Sequence, residues 1–262
     1  MLSSILSILM ALIPAILLLF FVVGKDKKRP EPPRQLVKAF LLGFVSMFVV
    51  TALVGVIDCF IPYGSNTVAG QIWRAFWRAA IPEELAKFMM LWLVLRKNKY
   101  FDEHFDGIVY AVMVGLGFAT FENLLYMFAN YANLLVVGST RALLTVPAHY
   151  AFAVFMGYFY SLAHFSPRRK VYYYSMALLV PMMLHGLYDA LLMVGMVLPE
   201  FFSVLLSILC IVLCYFMHKE AFRRITIHLQ SDSIIVPKED VAEQSQSSDD
   251  IEYIDYEEVE RK

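Results

Sequence analysis

The chain has 262 residues, of which 60% are hydrophobic and 15% aromatic, and its mean hydropathy is +0.62. That is too apolar for a water-soluble domain of this length, so a polytopic membrane protein embedded in a lipid bilayer is expected, with no nucleic-acid partner. The net charge of -1 hides a division, because Ser231–Lys262 holds eleven of the 23 Asp and Glu against three Lys and Arg, which leaves a basic membrane body with an acidic tail.

Apolar windows of spanning length fall near residues 2–23, 39–60, 74–95, 107–129, 142–164, 171–195 and 200–217, which predicts an all-α transmembrane bundle of about seven helices. Residues 1–229 are expected to form the membrane domain and 230–262 a disordered, solvated cytoplasmic tail. The first window lacks a basic start and a small-residue cleavage site before Lys25, so it reads as a retained anchor. Lys25, Lys27, Lys28, Arg29, Arg34 and Lys38 follow it; Arg96, Lys97 and Lys99 follow the third; Arg168, Arg169 and Lys170 the fifth; and Lys219, Arg223 and Arg224 the seventh. Every second loop is therefore basic, which predicts an outside N-terminus and a cytoplasmic C-terminus. Arg74, Arg78 and Arg141 break the pattern near outer ends, and with Trp73 and Trp77 they suit interfacial anchoring. Cys59, Cys210 and Cys214 form no disulfide framework and no metal spacing.

The third to sixth windows carry groups that lipid does not tolerate: Glu83, Glu84 and Lys87; Glu122 and Asn123; His149; and His185 and Asp189. Counted at about 1.5 Å per residue, Glu83 lies roughly 20 Å from Arg96, His185 roughly 22 Å from Lys170 and His149 roughly 12 Å from Arg141. In a core about 30 Å thick these depths coincide in the outer half, so one site is expected rather than four accidents. Lys87 is one turn from both glutamates and can neutralise one of them. Gly107, Ala111, Gly115 and Ala119 make a smooth strip along which another helix can approach, with Asn123 continuing the row. Pro147 and Pro181 precede His149 and His185 and predict local helix distortion beside each histidine. The four histidines at 104, 164, 218 and 228 fall near helix ends and read as interfacial.

Three classes of function use buried groups of this kind. A transporter or proton-coupled carrier strings them across the bilayer, and a scaffold uses them for helix specificity, but neither accounts for carboxylates gathered at one level. An intramembrane hydrolase does, since it needs a base for water, an acid for the leaving amine and donors for the oxyanion. Zn²⁺ held by Glu83, His149 and His185 is an alternative use of the same groups.

Glu-Glu-x-x-Lys at Glu83, Phe121-Glu122-Asn123, His149 and His185-x-x-x-Asp189, in that order on successive helices, resemble the motifs of the PrsW family of intramembrane proteases. That family is related to the CAAX prenyl endopeptidases and bacteriocin-processing enzymes, and the resemblance covers about Trp73 to Leu192. It implies a site-specific cut in a bacterial inner-membrane protein, such as a single-pass anti-sigma factor in envelope stress signalling. It also implies roles. Glu83 would activate water with His149 as partner, and His185 with Asp189 would bind the oxyanion or a metal. Glu84 and Glu122 would be secondary acids and Lys87 would balance charge. The related enzymes commonly show Arg and Asn where this chain has Lys87 and Asp189.

Overall fold

The structure is a computed structural model that describes residues 2–26, 29–60 and 65–234. Its segments are α1 (Leu2–Val23), α2 (Pro33–Phe60), α3 (Val68–Arg74), α4 (Ile81–Leu95), α5 (His104–Ala129), α6 (Leu134–Thr140), α7 (Val146–Phe165), α8 (Lys170–Gly195) and α9 (Glu200–Ile234). A π-helical turn joins α3 to α4 and another joins α6 to α7, so the described residues form the expected bundle of seven helical rods. Five of the rods are long and apolar enough to cross a membrane. The rod from Val68 to Leu95 carries Arg74, Arg78, Glu83, Glu84 and Lys87. The described apolar part of α1, Leu12–Val23, is shorter than the five.

α5 is the axis of the bundle. Every residue from His104 to Thr120 is buried, so this stretch of the helix is enclosed on all sides, and α1, α2, α7 and α9 all pack against α5. α2 and α9 take the periphery, where Leu41, Phe48, Phe201, Leu205 and Ile208 face outward, as apolar side chains do in lipid. The smooth strip on α5 receives α7 in antiparallel register. A methyl group added at Gly157 would overlap the Gly107 carbonyl, and one at Gly115 would lie 2.7 Å from the Ala153 Cβ. On another face, α5 and α2 meet backbone to backbone at Gly117 and Gly43. Small residues allow this approach, and close packing replaces the hydrophobic drive that lipid removes.

Two expectations need correction. The last helix does not stop near residue 217 but continues to Ile234, because Ala221, Ile225, His228 and Asp232 extend an inward stripe past the charges of Lys219, Arg223 and Arg224. The expected tail boundary at 230 therefore falls within α9, and residues 235–262, like Lys27 and Lys28, lie outside the described residues. His104 and His228 are not interfacial either: both are buried, and the His228 ring stacks on Tyr158 at 4.4 Å between centroids. His104 heads α5, where the Asp232 carboxylate accepts from the backbone N–H of His104 at 2.9 Å and of Phe105 at 2.8 Å. A side chain 128 positions away thus caps the central helix, where an anion offsets the exposed N–H groups and the positive end of the dipole.

The backbone meeting at Gly117 has a direct test. Gly117→Ala forces a methyl group into the Phe40 carbonyl, whereas the space around Gly55 on α2 is open within 4 Å. Gly117→Ala should lower stability by about 1–3 kcal/mol, as overpacking does, and Gly55→Ala should not. Thermal melts of both variants in detergent would read this, and equal melting temperatures would show that α2 and α5 do not meet there.

Candidate active site

The polar residues are delivered by two short structures of the same design. Ile81-Pro82 and Val146-Pro147 each open an α-helix, and each is preceded by a π-helical turn, Ala75–Ala80 and Arg141–Thr145. Proline has no N–H and its ring crowds the carbonyl four residues back, so a regular helix cannot run through it undisturbed. The π turn absorbs the misfit. The Ile81 N–H donates to the Phe76 carbonyl and the Val146 N–H to the Arg141 carbonyl, each five residues back. Glu83 and Glu84 follow one of these turns and His149 follows the other. Pro181 behaves differently, since α8 runs through it from Lys170 to Gly195 without a break, so the distortion expected beside His185 is absent. Phe76, from the first π turn, lies against Gly186, where no side chain could fit, and this seats His185 next to Glu84.

Lys87 is the centre of the site. Its ammonium donates to Glu84 Oε1 at 2.7 Å and to His149 Nδ1 at 3.2 Å, lies 3.4 Å from Glu83 Oε2, and sits 4.0 Å from the centre of the Phe118 ring. Because Lys87 can only donate, Nδ1 of His149 is the acceptor, and the proton of a neutral ring is on Nε2. That Nε2–H donates to Glu122 Oε2 at 3.0 Å. His185 donates from Nδ1 to Glu84 Oε1 at 2.8 Å, while its Nε2 lies 3.4 Å from Asp189 Oδ2 and 3.9 Å from Glu83 Oε2. The two imidazoles stand edge to face 5.2 Å apart, with Phe152 stacked on His185. Glu83, Glu84, Lys87, Asn123, His149 and His185 are all buried, and Glu122 and Asp189 partly so.

All eight residues singled out on four sequence windows thus meet in one network, at the common level that their depths suggested. Their pairing differs from the expectation in one respect. No hydrogen bond joins Glu83 to His149 among the described residues; Lys87 stands between them.

Arg141 belongs to the same network and was missed. It is no interfacial anchor: its Nη2 donates to Glu122 Oε2 at 2.7 Å, its Nε donates to Asn123 Oδ1 at 2.6 Å, and its guanidinium covers the Tyr126 ring at 3.9 Å. The charge count held the signal. Four carboxylates (Glu83, Glu84, Glu122 and Asp189) face one permanent cation in Lys87, and with His149 neutral only His185 can add another, so a further cation is called for. Arg141 is that further cation, and by fixing Glu122 it fixes the orientation of His149. By contrast Arg78 pairs with Asp58 of α2, and Trp73 stacks on Trp77, both at the mouth of the α3–α4 rod.

Glu83, Glu84, His149 and His185 also fit a metal ion by kind. Each offers a donor atom, all four atoms lie within 4.8 Å of one another, and Glu84 Oε2 is buried with no hydrogen-bond partner. His and carboxylate donors around a water are a known set for Zn²⁺.

A family model described as "PrsW family intramembrane metalloprotease" matches residues 31–217. Protease PrsW of Clostridioides difficile (strain 630) is 38% identical over 157 residues, which are 58% of this chain and 64% of that protein. Protease PrsW of Geobacillus kaustophilus (strain HTA426) is 35% identical over 159 residues, 61% of this chain and 67% of that protein. Protease PrsW of Bacillus subtilis (strain 168) is 35% identical over 153 residues, 58% of this chain and 66% of that protein. The match thus spans somewhat less than two thirds of the first relative's length. No solved structure matches the chain.

Removing the Lys87 charge strands Glu84, which is fully buried and bonded to it. Lys87→Met should cost about 3–5 kcal/mol, the range for breaking a buried pair, and Lys87→Arg should cost less because it keeps the charge. Melting temperatures in detergent would check this. A Lys87→Met protein as stable as the parent would mean that the ammonium does not hold the carboxylates together.

Proposed function

The chain belongs to the PrsW family, and from that premise we propose that it is an intramembrane endopeptidase making a site-specific cut in a membrane protein. Two adjacent glutamates are held unequally, and that difference carries the reading. Glu84 is fully buried, and its Oε1 takes hydrogen bonds from both Lys87 and His185. Glu83 has a 3.4 Å contact to Lys87, a 3.9 Å approach to His185 and a residual exposure of 8%. Glu83 is held loosely and keeps some exposure, so a water molecule can reach its lone pairs, whereas Glu84 is fully buried and one of its oxygens is committed to the frame.

Glu83 then acts as the base. It takes a proton from water as the oxygen bonds to the peptide carbonyl carbon; the C–N bond breaks, the proton passes to the leaving nitrogen, and a carboxyl group and an amine remain. His185 lies beside Glu83 with Nε2 on the same side, and as an imidazolium, with Nδ1–H on Glu84, it is placed to donate from Nε2–H to charge that develops on the carbonyl oxygen. The negative charge of Asp189, which alone would repel that oxygen, is set against the same imidazole. His149, oriented between Lys87 and the Glu122–Arg141 pair, closes the other side of the site. A Zn²⁺ ion would be held by Glu83, His149 and His185, with Glu84 Oε2 in reach, and when bound would bring the pKa of its water to about 7.

The substrate proposed is a single-pass protein of the bacterial inner membrane, of the anti-sigma-factor kind, cut near the outer face. The shared depth of the site in the outer half and the aromatic and basic rim from Trp73 to Arg78 support that position. An outside N-terminus and a cytoplasmic C-terminus follow from the alternation of basic loops.

Glu83→Gln keeps the shape of the residue and removes the base. It should lower cleavage by about 10²–10⁴-fold while leaving the melting temperature near that of the parent, whereas Glu84→Gln should lose stability as well. Comparing membrane-protein fragments in cells with the parent and with Glu83→Gln would identify the substrate and map its new terminus. If no fragment depended on Glu83, the protease reading would fall; a terminus on the cytoplasmic side would overturn the outer-face assignment alone.

A further inference from the structure

At the end of the bundle opposite the Glu/His site, Asp26 just after α1 and Glu31 just before α2 come together with carboxylates at the start of α5. Asp26 and Asp106 are buried, Glu103 is partly buried, and a carboxylate oxygen from each lies within 4.8 Å of the other two. Glu31 joins them. Its N–H donates to Asp26 Oδ2 at 3.2 Å, and its own carboxylate accepts from the Tyr110 hydroxyl.

Part of this arrangement has an ordinary cause. Glu103 and Asp106 form a reciprocal capping box on α5, and Asp106 Oδ2 accepts from the N–H of Asp102 at 3.1 Å and of Glu103 at 2.7 Å. Capping brings those two together without any ligand, but it explains neither Asp26, which arrives from another segment, nor the second oxygen of Asp106. Asp106 is 1% exposed, no N–H or O–H among the described residues donates to its buried Oδ1, and its carboxyl lies within hydrogen-bond reach of the Glu31 carboxyl. Leaving a buried acceptor unsatisfied costs about 1–3 kcal/mol, more for a charged one. Arg29 does not remove the problem. It lies 3.4 Å from Glu103 and 3.5 Å from Asp102 with nearly half its side chain in the open, a kind of pair that contributes little.

We propose that Asp26, Glu103 and Asp106, with Glu31 beside them, form a binding site for a hard divalent cation of the size of Ca²⁺. The donors are all oxygen, which favours Ca²⁺ or Mg²⁺ over Zn²⁺. An irregular cluster of protein carboxylates suits Ca²⁺, which takes 6–8 oxygens in a flexible geometry, better than Mg²⁺, which demands a near-ideal octahedron and keeps several of its waters. The bound ion supplies the charge that Asp106 Oδ1 lacks and fastens the α1–α2 linker to the N-terminus of the central helix. This site is independent of the protease reading, since it shares no residue with the network around Lys87.

Calorimetric titration of the purified full chain in detergent with Ca²⁺, and separately with Mg²⁺, tests the proposal. The expected result is a Ca²⁺ site weakened on the order of 10-fold or more in both Asp26→Asn and Asp106→Asn, and unchanged in Glu83→Gln. Asn at 106 still offers an oxygen to cap α5, and Asp26→Asn leaves the cap untouched, so each variant can be scored on folded protein by its melting temperature. No Ca²⁺ binding, binding that survives both Asn variants, loss in Glu83→Gln as well, or tighter binding of Mg²⁺ than of Ca²⁺ would each overturn it.

Discussion

The bundle is organised around one difficulty: a lysine and several carboxylates must exist together where water is scarce. Transferring each ion out of water costs several kcal/mol even after relaxation, and only close opposite charge with saturated hydrogen bonding recovers it. Lys87 meets that requirement with partners on α4 and α7, and Arg141 meets it for Glu122 and Asn123 on α5. The four rods that supply these residues are therefore held by electrostatics as much as by packing. Glycine contacts between α2, α5 and α7 bring the backbones near enough for short side chains to complete the network.

The two π turns solve a second problem, that of aim. An α-helix sets its side chains every 100°, and neither Glu83 nor His149 is bound to face the bundle interior under that regular rotation. One extra residue in a turn rotates everything beyond it, and the proline that follows has no N–H to place in the regular ladder, so the irregular turn leaves no donor there unpaired. Ile81-Pro82 and Val146-Pro147 thus mark where backbone regularity is given up for orientation. Pro181 shows that proline alone does not do this, since α8 passes through it unbroken.

Much of this was legible beforehand, for reasons that can be stated. Rod number came from apolar length, and the grouping of Glu83, Glu122, His149 and His185 came from depth, because both are linear counts along a helix. The α5–α7 contact came from a four-residue repeat of small side chains. What stayed hidden depends on rotation and on distant partners. Arg141 looked like a marker of the bilayer edge because its depth is visible in the sequence and its direction is not. The continuation of α9 past Lys219 was masked by charges that sit on its outer side, and the burial of His104 and His228 depends on that continuation. The pairing of Lys87 with His149, in place of a direct Glu83–His149 bond, depends on how three side chains from two rods meet, which no count along the sequence resolves.

The Asp232 cap ties the maturation of the bundle to the order in which the chain is made. α5 carries Glu122 and Asn123 and emerges from the ribosome well before α9, and the capping carboxylate lies 128 positions downstream of His104. At typical synthesis rates of about 5–20 residues per second, the N–H groups of His104 and Phe105 wait roughly 6–26 s for their acceptor. During that interval the other helices can insert, but the central one has a loose end. A chain truncated before Asp232 would thus reach the membrane with every residue of the Lys87 network present and with its central helix held at that end by the local Glu103–Asp106 box alone.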